Sequence, residues 1–248
     1  RYHLIVVRPR IWRDAVSALS PEEYPVMLRT LVGSQAHGVA RDGSDRDVRE
    51  VFYAPTRDLL VIPESARPKT GWQSQPQRMV DDEGGYEVGH FLELAMRGNP
   101  NVVELLWTTV EESTPEGEDL RRLGLESVLG ATPLVRAFLG YASNARDKII
   151  TDAGRHLKWQ AIYVRVLATL CELLREGHIE YPITRYPWGE DVRALRDGEA
   201  TTDHALNLGR SLESALKRLE GHAAIRREPD VEAVNAWLLD LRREHWSV

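Results

Sequence analysis

The sequence predicts an α+β fold in two parts, a strand-bearing N-terminal part followed by a helical C-terminal part. Three observations carry this. Apolar runs at 25–33 and 47–55 are short, rich in β-branched or aromatic residues, and bounded by Gly, Ser and Pro. After residue 87 the apolar spacing changes to that of a helix face. From about residue 118 nearly every segment has helical spacing. The expected division is 1–115 and 116–248.

Residues 2–7, "YHLIVV", read as a short strand or an ordered arm. The run 25–33 reads as a strand that stops at Gly33. A turn-rich segment with Gly38, Gly43 and Ser44 follows, and "DVREVFYAP" resumes as a second strand. Residues 62–80 are rich in Pro, Ser, Gln and Gly and read as a loop. "DDEGGYEV" reads as a third strand weakened by its two glycines. Phe91, Leu92, Leu94 and Ala95 then mark a helix face, which Gly98-Asn99-Pro100 stops, and "NVVELLWTT" restarts a helix. Further helices are expected over 120–129, 133–150, 153–176, 190–197, 202–221 and 230–244. The longest closes on Gly177, a suitable C-cap. No internal repeat or sustained heptad is present.

With 248 residues and 42% hydrophobic content, the chain can build one large core or two small ones. A net charge of −6 argues against a protein that coats nucleic acid, although an acidic chain can still carry a basic cleft. The single cysteine, Cys171, excludes an internal disulfide and a cysteine zinc cluster, and its apolar helical setting makes it a core residue. No apolar run approaches the ~18 residues of a membrane span, and no signal peptide is visible. A cytoplasmic protein with no membrane association is therefore the default expectation.

The chemistry concentrates in "GSQAHGVARDGSDRDVREVF", residues 33–52. Residues i and i+2 of a strand share a face, so Asp45 and Asp47 would present two carboxylates together, with Arg46 and Val48 facing away. Like charges this close destabilise the fold unless a cation neutralises them, and magnesium prefers all-oxygen ligands. Gly33 at a strand-to-helix turn would let the backbone approach a ligand, and Ser34 could bind phosphate. The bland alternative is a solvated Asx or Ser turn, since D-x-D is common in loops.

The ordered combination of strand, Gly-Ser, glycine-containing spacer, Ser, D-x-D and strand resembles the DNA polymerase beta-type nucleotidyltransferase superfamily. It is particularly similar to bacterial and phage predicted nucleotidyltransferases of the RNA-repair-pathway type. The likeness continues through "GYEVGHFLELAMRGNPNVVELLW", "FLGYASNARDKI", "KWQAIYVRVLATLCELLREGHIEYPI" and "VRALRDGEA", about residues 28–205. It implies a small mixed sheet backed by helices and a helical domain that closes over the nucleotide. It also implies transfer of a nucleoside monophosphate from a nucleoside triphosphate, ATP being the first candidate, to a hydroxyl with release of pyrophosphate. Gly33 and Ser34 would then hold the triphosphate, and Asp45 and Asp47 magnesium or manganese. A third acidic ligand falls at Asp82, with Glu87 in reserve and Asp81 and Glu83 as competitors.

Further candidates lie outside the motif. His37 follows Ser34 closely enough to contact phosphate or base. Lys158 and Arg165 are seven residues apart and share one helix face. Arg165 lies in the apolar "AIYVRVLATL", so it needs either the triphosphate or a buried carboxylate as partner. Glu104 reads as a glutamate complementing a helix dipole, and Asn99 as a cap. The acceptor is open between RNA, a protein side chain and a small molecule, and so is the oligomeric state. Competing functions are a noncatalytic nucleotide- or partner-binding module and a metal-dependent nucleotide hydrolase.

Overall fold

The computed structural model describes residues 24–62, 67–73, 81–152 and 156–246. The strand expected at 2–7, parts of the expected 62–80 loop and the first residues of the 153–176 helix lie outside them. Five strands form one sheet: β1 (Val26–Val32), β2 (Arg46–Phe52), β3 (Gly71–Gln73), β4 (Asp81–Glu87) and β5 (Val110–Ser113). Their order is β3-β4-β2-β1-β5. β1 is antiparallel to β2 and to β5, β3 is antiparallel to β4, and β2 and β4 run parallel. The sheet is thus mixed, and the fold is α+β as expected.

Two strands depart from expectation. β3 lies inside the segment read as loop, and β5 was not anticipated at all, its sequence being Val-Glu-Glu-Ser. Both are short and gain their order from a neighbour rather than from propensity. The glycines that weakened the third strand have a packing reason. A Cβ on Gly85 would stand 2.4 Å from Trp72 Nε1, and one on Gly84 2.9 Å from the Trp72 carbonyl oxygen. Side chains there would push β3 off β4. The helix expected through "NVVELLWTT" is also shorter: α4 (Pro100–Val103) tightens into a 3₁₀ turn over Glu104–Leu106. Asn99 caps it, its side chain accepting from Asn101 N–H at 3.1 Å.

The short helices α1 (Gly33–His37) and α2 (Thr56–Leu59) connect the first strands, and α3 (Val88–Met96) follows β4 directly. Strands give way to helices between Ser113 and Pro115. There α5 (Pro115–Leu123), α6 (Ala131–Thr151), α7 (Leu157–Glu176), α8 (Pro187–Asp197), α9 (Thr202–Leu219) and α10 (Val231–Glu244) follow. The last five lie close to the expected spans, whereas α5 starts five residues before the expected 120–129 and passes into a π-helical turn over Gly124–Val128. One apolar core joins the two parts, running from Met27 and Val51 of the sheet through Phe91 and Leu105 to Phe138 and Leu167. Cys171 and Tyr163 are buried within it. No helix among the described residues is long and apolar enough to cross a membrane.

α10 returns to the sheet. Arg242 Nη2 pairs with Glu87 Oε1 at 2.6 Å, and Thr56 donates to the Arg242 carbonyl at 2.8 Å. Glu87, 3% exposed, also accepts from Gly89 N–H at 2.8 Å at the start of α3. The reserve candidate for the third acidic ligand is therefore engaged in joining the tail and the helix to the sheet.

Candidate active site

A cleft of about 910 Å³ opens between the sheet and the helices α7 and α8. Gly33, Ser34, His37, Asp45, Asp47, Asp82, Lys158 and Arg165 all line it. Residues up to 132 positions apart in sequence thus face one space, and strand register explains much of it. Val32 is paired with Asp47 across β1 and β2, and Asp47 with Asp82 across β2 and β4. Of the competitors for the third acidic position, Glu83 pairs instead with Arg29 on the sheet.

β1 turns into α1 at Gly33, whose φ of +67° lies in the left-handed region. A Cβ there would fall 1.9 Å from Asp47 Oδ2. The missing side chain is what lets the Asp47 carboxylate sit against the turn. Asp45 lies one residue before β2 rather than within it, near the Gln35 side chain, whose Nε2 is 3.4 Å from the Asp45 carbonyl. Arg46 points away and pairs with Glu111.

Burial is the main cause that raises the Asp47 carboxyl above its ordinary range; Arg49 opposes it, while Asp82 and Asp45 raise it further. Asp82 accepts from Arg49 Nη2 at 3.0 Å and from Gln73 Nε2 at 3.2 Å. Among the described residues no three His, Cys, Asp or Glu side chains converge as a cage for a metal ion. The donor chemistry nonetheless fits a hard divalent cation. Crowded carboxylate oxygens face the cleft, and Asp47 is held in a cradle that any side chain at position 33 would fill.

His37, Glu104 and Arg165 meet at the cleft wall. His37 Nε2 is 3.0 Å from Glu104 Oε2, and Arg165 Nη1 lies 3.8 Å from the same oxygen. The His37 ring also stacks on Tyr181 at 5.6 Å. Burial, then the Arg165 charge, push the imidazole below its ordinary pKa. Burial raises the Glu104 carboxyl, but the His37 hydrogen bond and the neighbouring cations outweigh it, so its pKa is lowered. We assign a neutral His37 that donates from Nε2 to an ionised Glu104, with Arg165 supplying the balancing charge. Arg165 therefore has the buried carboxylate it required and still lines the cleft. The dipole reading of Glu104 is corrected: it is a buried partner of two site residues.

This cluster makes two predictions. Glu104→Ala leaves Arg165 and His37 buried without their acceptor, and should lower stability by about 3 kcal/mol in urea unfolding. Both His37 and Glu104 have folded-state pKa values below their unfolded ones. Each then contributes stability that is present above the unfolded pKa and lost as pH falls through the folded one. Stability should accordingly fall between about pH 7 and about pH 4, and His37→Gln should flatten the part nearest pH 6.5. An unchanged slope in that variant, measured by urea unfolding across the range, would refute the assignment.

Several cleft residues escaped sequence reasoning, among them Arg49, Gln73, Tyr86, His90, Tyr141 and Arg196. Arg49 had a usable signal, being two residues after Asp47 on the same strand. Arg196 had none, since its helix reads as an ordinary solvated surface.

A mixed sheet whose first strand turns at Gly-Ser, with Asp45 before the second strand and Asp47 on it, agrees with the resemblance to polymerase β-type nucleotidyltransferases. The chain belongs to the RNA repair pathway DNA polymerase beta family (RlaP), which it matches over residues 10–240. Among solved structures it is similar to a nucleotidyltransferase-like protein from Exiguobacterium sibiricum 255-15. The two share 15% identity over 88% of this chain and 74% of that one, with a TM-score of 0.32. No curated protein matches the chain.

Proposed function

We propose that this chain transfers a nucleoside monophosphate from a nucleoside triphosphate, ATP being the first to test, to an acceptor hydroxyl with release of pyrophosphate. Magnesium or manganese would be required. The observation that carries this is that one cleft sets Asp45, Asp47 and Asp82 on its sheet side opposite Lys158 and Arg165 of α7, with Arg49 and Glu104 also lining it. An anion that arrives with divalent cations matches both walls.

Asp45, Asp47 and Asp82 would hold the divalent ion, which when bound polarises phosphoryl oxygens and favours ionisation of the acceptor hydroxyl. Gly33 keeps the turn open for Asp47 while Ser34 offers its hydroxyl to a phosphate oxygen. Lys158 and Arg165 hold the triphosphate and stabilise charge on departing pyrophosphate. The acceptor oxygen bonds to the α-phosphorus as the bond to the β-phosphate breaks, and its proton passes to the carboxylate wall. The cleft is near the upper end of the usual ~300–1,000 Å³ for small-molecule sites, which leaves space for an acceptor group beside the nucleotide. RNA is the first acceptor to test because of the family's description, ahead of protein and small-molecule hydroxyls.

One observation favours a second reading. Asp82 is already held by Arg49 and Gln73, as suits a noncatalytic nucleotide-binding module. Labelled triphosphates incubated with magnesium and separate pools of RNA, protein and metabolites distinguish the possibilities. Label moving to an acceptor is the expected result. Free monophosphate alone would indicate a hydrolase, and bound but unreacted triphosphate across every pool would indicate the binding module.

A further inference from the structure

Arg196 is a cleft cation with an unsatisfied buried donor. Its Nε is buried with no hydrogen-bond partner among the described residues. The adjacent carboxylate is engaged elsewhere through one oxygen: Asp197 Oδ1 accepts from Arg41 Nε at 2.7 Å. Burial and the Arg41 charge both disfavour the guanidinium, and the attraction of Asp197 and Asp47 only partly offsets them. The side chain is nevertheless directed by its helix. Val192 and Arg196, four residues apart on α8, both line the cleft, so this face of α8 forms part of its wall.

A half-buried arginine without an acceptor is costly unless a ligand supplies one. Lys158, on α7, lines the same cleft and has no ion pair among the described residues. Arg165, by contrast, already faces Glu104. The two cations stand on two different helices, Arg196 with a buried Nε that has no partner among the described residues and Lys158 exposed to solvent in the cleft. An extended anion with several charged oxygens can reach both, whereas a single small anion satisfies one. The guanidinium fork suits adjacent phosphate oxygens in particular.

We propose that Arg196 is a binding residue for the polyphosphate chain of the nucleotide and, together with Lys158, selects a triphosphate over a monophosphate. This rests on the nucleotidyl-transfer reading of the cleft, and it adds α8 as a third wall to the sheet and α7.

The test is calorimetric titration of wild type, Arg196→Met, Arg196→Lys and Lys158→Met with ATP, inorganic tripolyphosphate and orthophosphate, all with magnesium, alongside thermal unfolding without any anion. Met keeps the apolar stem and removes the guanidinium with its charge and its N–H donors. The expected result is a loss of at least ~10-fold in affinity for both ATP and tripolyphosphate in Arg196→Met, a smaller loss in Arg196→Lys, and unchanged weak orthophosphate binding. Without anion the Met variant should unfold at the same temperature as wild type or higher, because an uncompensated charge has been removed. A clear fall in that temperature would make Arg196 structural and overturn the proposal. Undiminished ATP and tripolyphosphate binding in Arg196→Met, with binding lost in Lys158→Met, would overturn it while leaving the reading of the cleft intact. A loss for ATP but not for tripolyphosphate would place Arg196 at the nucleoside and also overturn it. Wild type that binds neither ligand would overturn both the proposal and the function on which it rests.

Discussion

Asp47→Asn should leave the fold intact and reduce nucleotidyl transfer by at least ~100-fold, the order expected when a major electrostatic contact of a transition state is removed. The substitution keeps the shape of the side chain and deletes one charge. Asp47 is already costly to ionise, first because it is partly buried and then because Asp82 and Asp45 crowd it, with Arg49 acting against both. Stability without nucleotide or metal should therefore hold or rise, as seen by thermal unfolding. Transfer should collapse, because the proposed site needs that charge to draw a cation-bearing triphosphate against the turn at Gly33. A variant that folds and transfers label from triphosphate as fast as wild type would remove the acidic pair from the reaction centre.

Gly33→Ala should produce a loss of similar size by displacement rather than by charge. Two separate effects act on the new methyl group. The backbone at Gly33 has φ +67°, where an L side chain costs roughly 1–2 kcal/mol. The Cβ would also lie 1.9 Å from Asp47 Oδ2, so the carboxylate has to move. A shift of about 1 Å in a reacting group can lower the rate ~100-fold. Gly43→Ala separates the two effects. Gly43 has φ +78°, comparable backbone strain, but nothing within 4 Å of the position its Cβ would take. Both variants should lose stability through backbone strain, Gly33→Ala at least as much as Gly43→Ala, whereas only Gly33→Ala should lose most of its transfer activity. Equal activity losses in the two would show that strain alone matters and that the Gly33–Asp47 contact does not position the carboxylate.

Much of the proposed centre was legible because it lies within a short stretch of chain. Gly33, Ser34, Asp45 and Asp47 occupy fifteen consecutive positions, and their spacing follows from one strand, one turn and the entry to the next strand. The helices from α5 onward were legible for a related reason. Their apolar spacing records a single face against the core, and a C-cap glycine such as Gly177, with φ +75°, marks an end locally. Asp82 was named as a candidate from its place in the motif order. Its position beside Asp47 is set by the parallel pairing of β2 and β4, a contact between residues 35 apart.

What the sequence by itself determined was therefore local: the α+β class, the helical second part, the Gly-Ser turn and the acidic pair. The rest was decided by tertiary structure, because it depends on what distant residues do to one another. β5 is a strand because β1 lends it hydrogen bonds, and its own composition would not make it one. Glu104 is a buried acceptor because α1 and α7 bring His37 and Arg165 to it. Arg196 reads as a surface cation on its helix, and only the packing around the cleft buries its Nε without a hydrogen-bond partner among the described residues. Burial and pairing are properties of surroundings, and a charge acquires them only when the chain has folded around it.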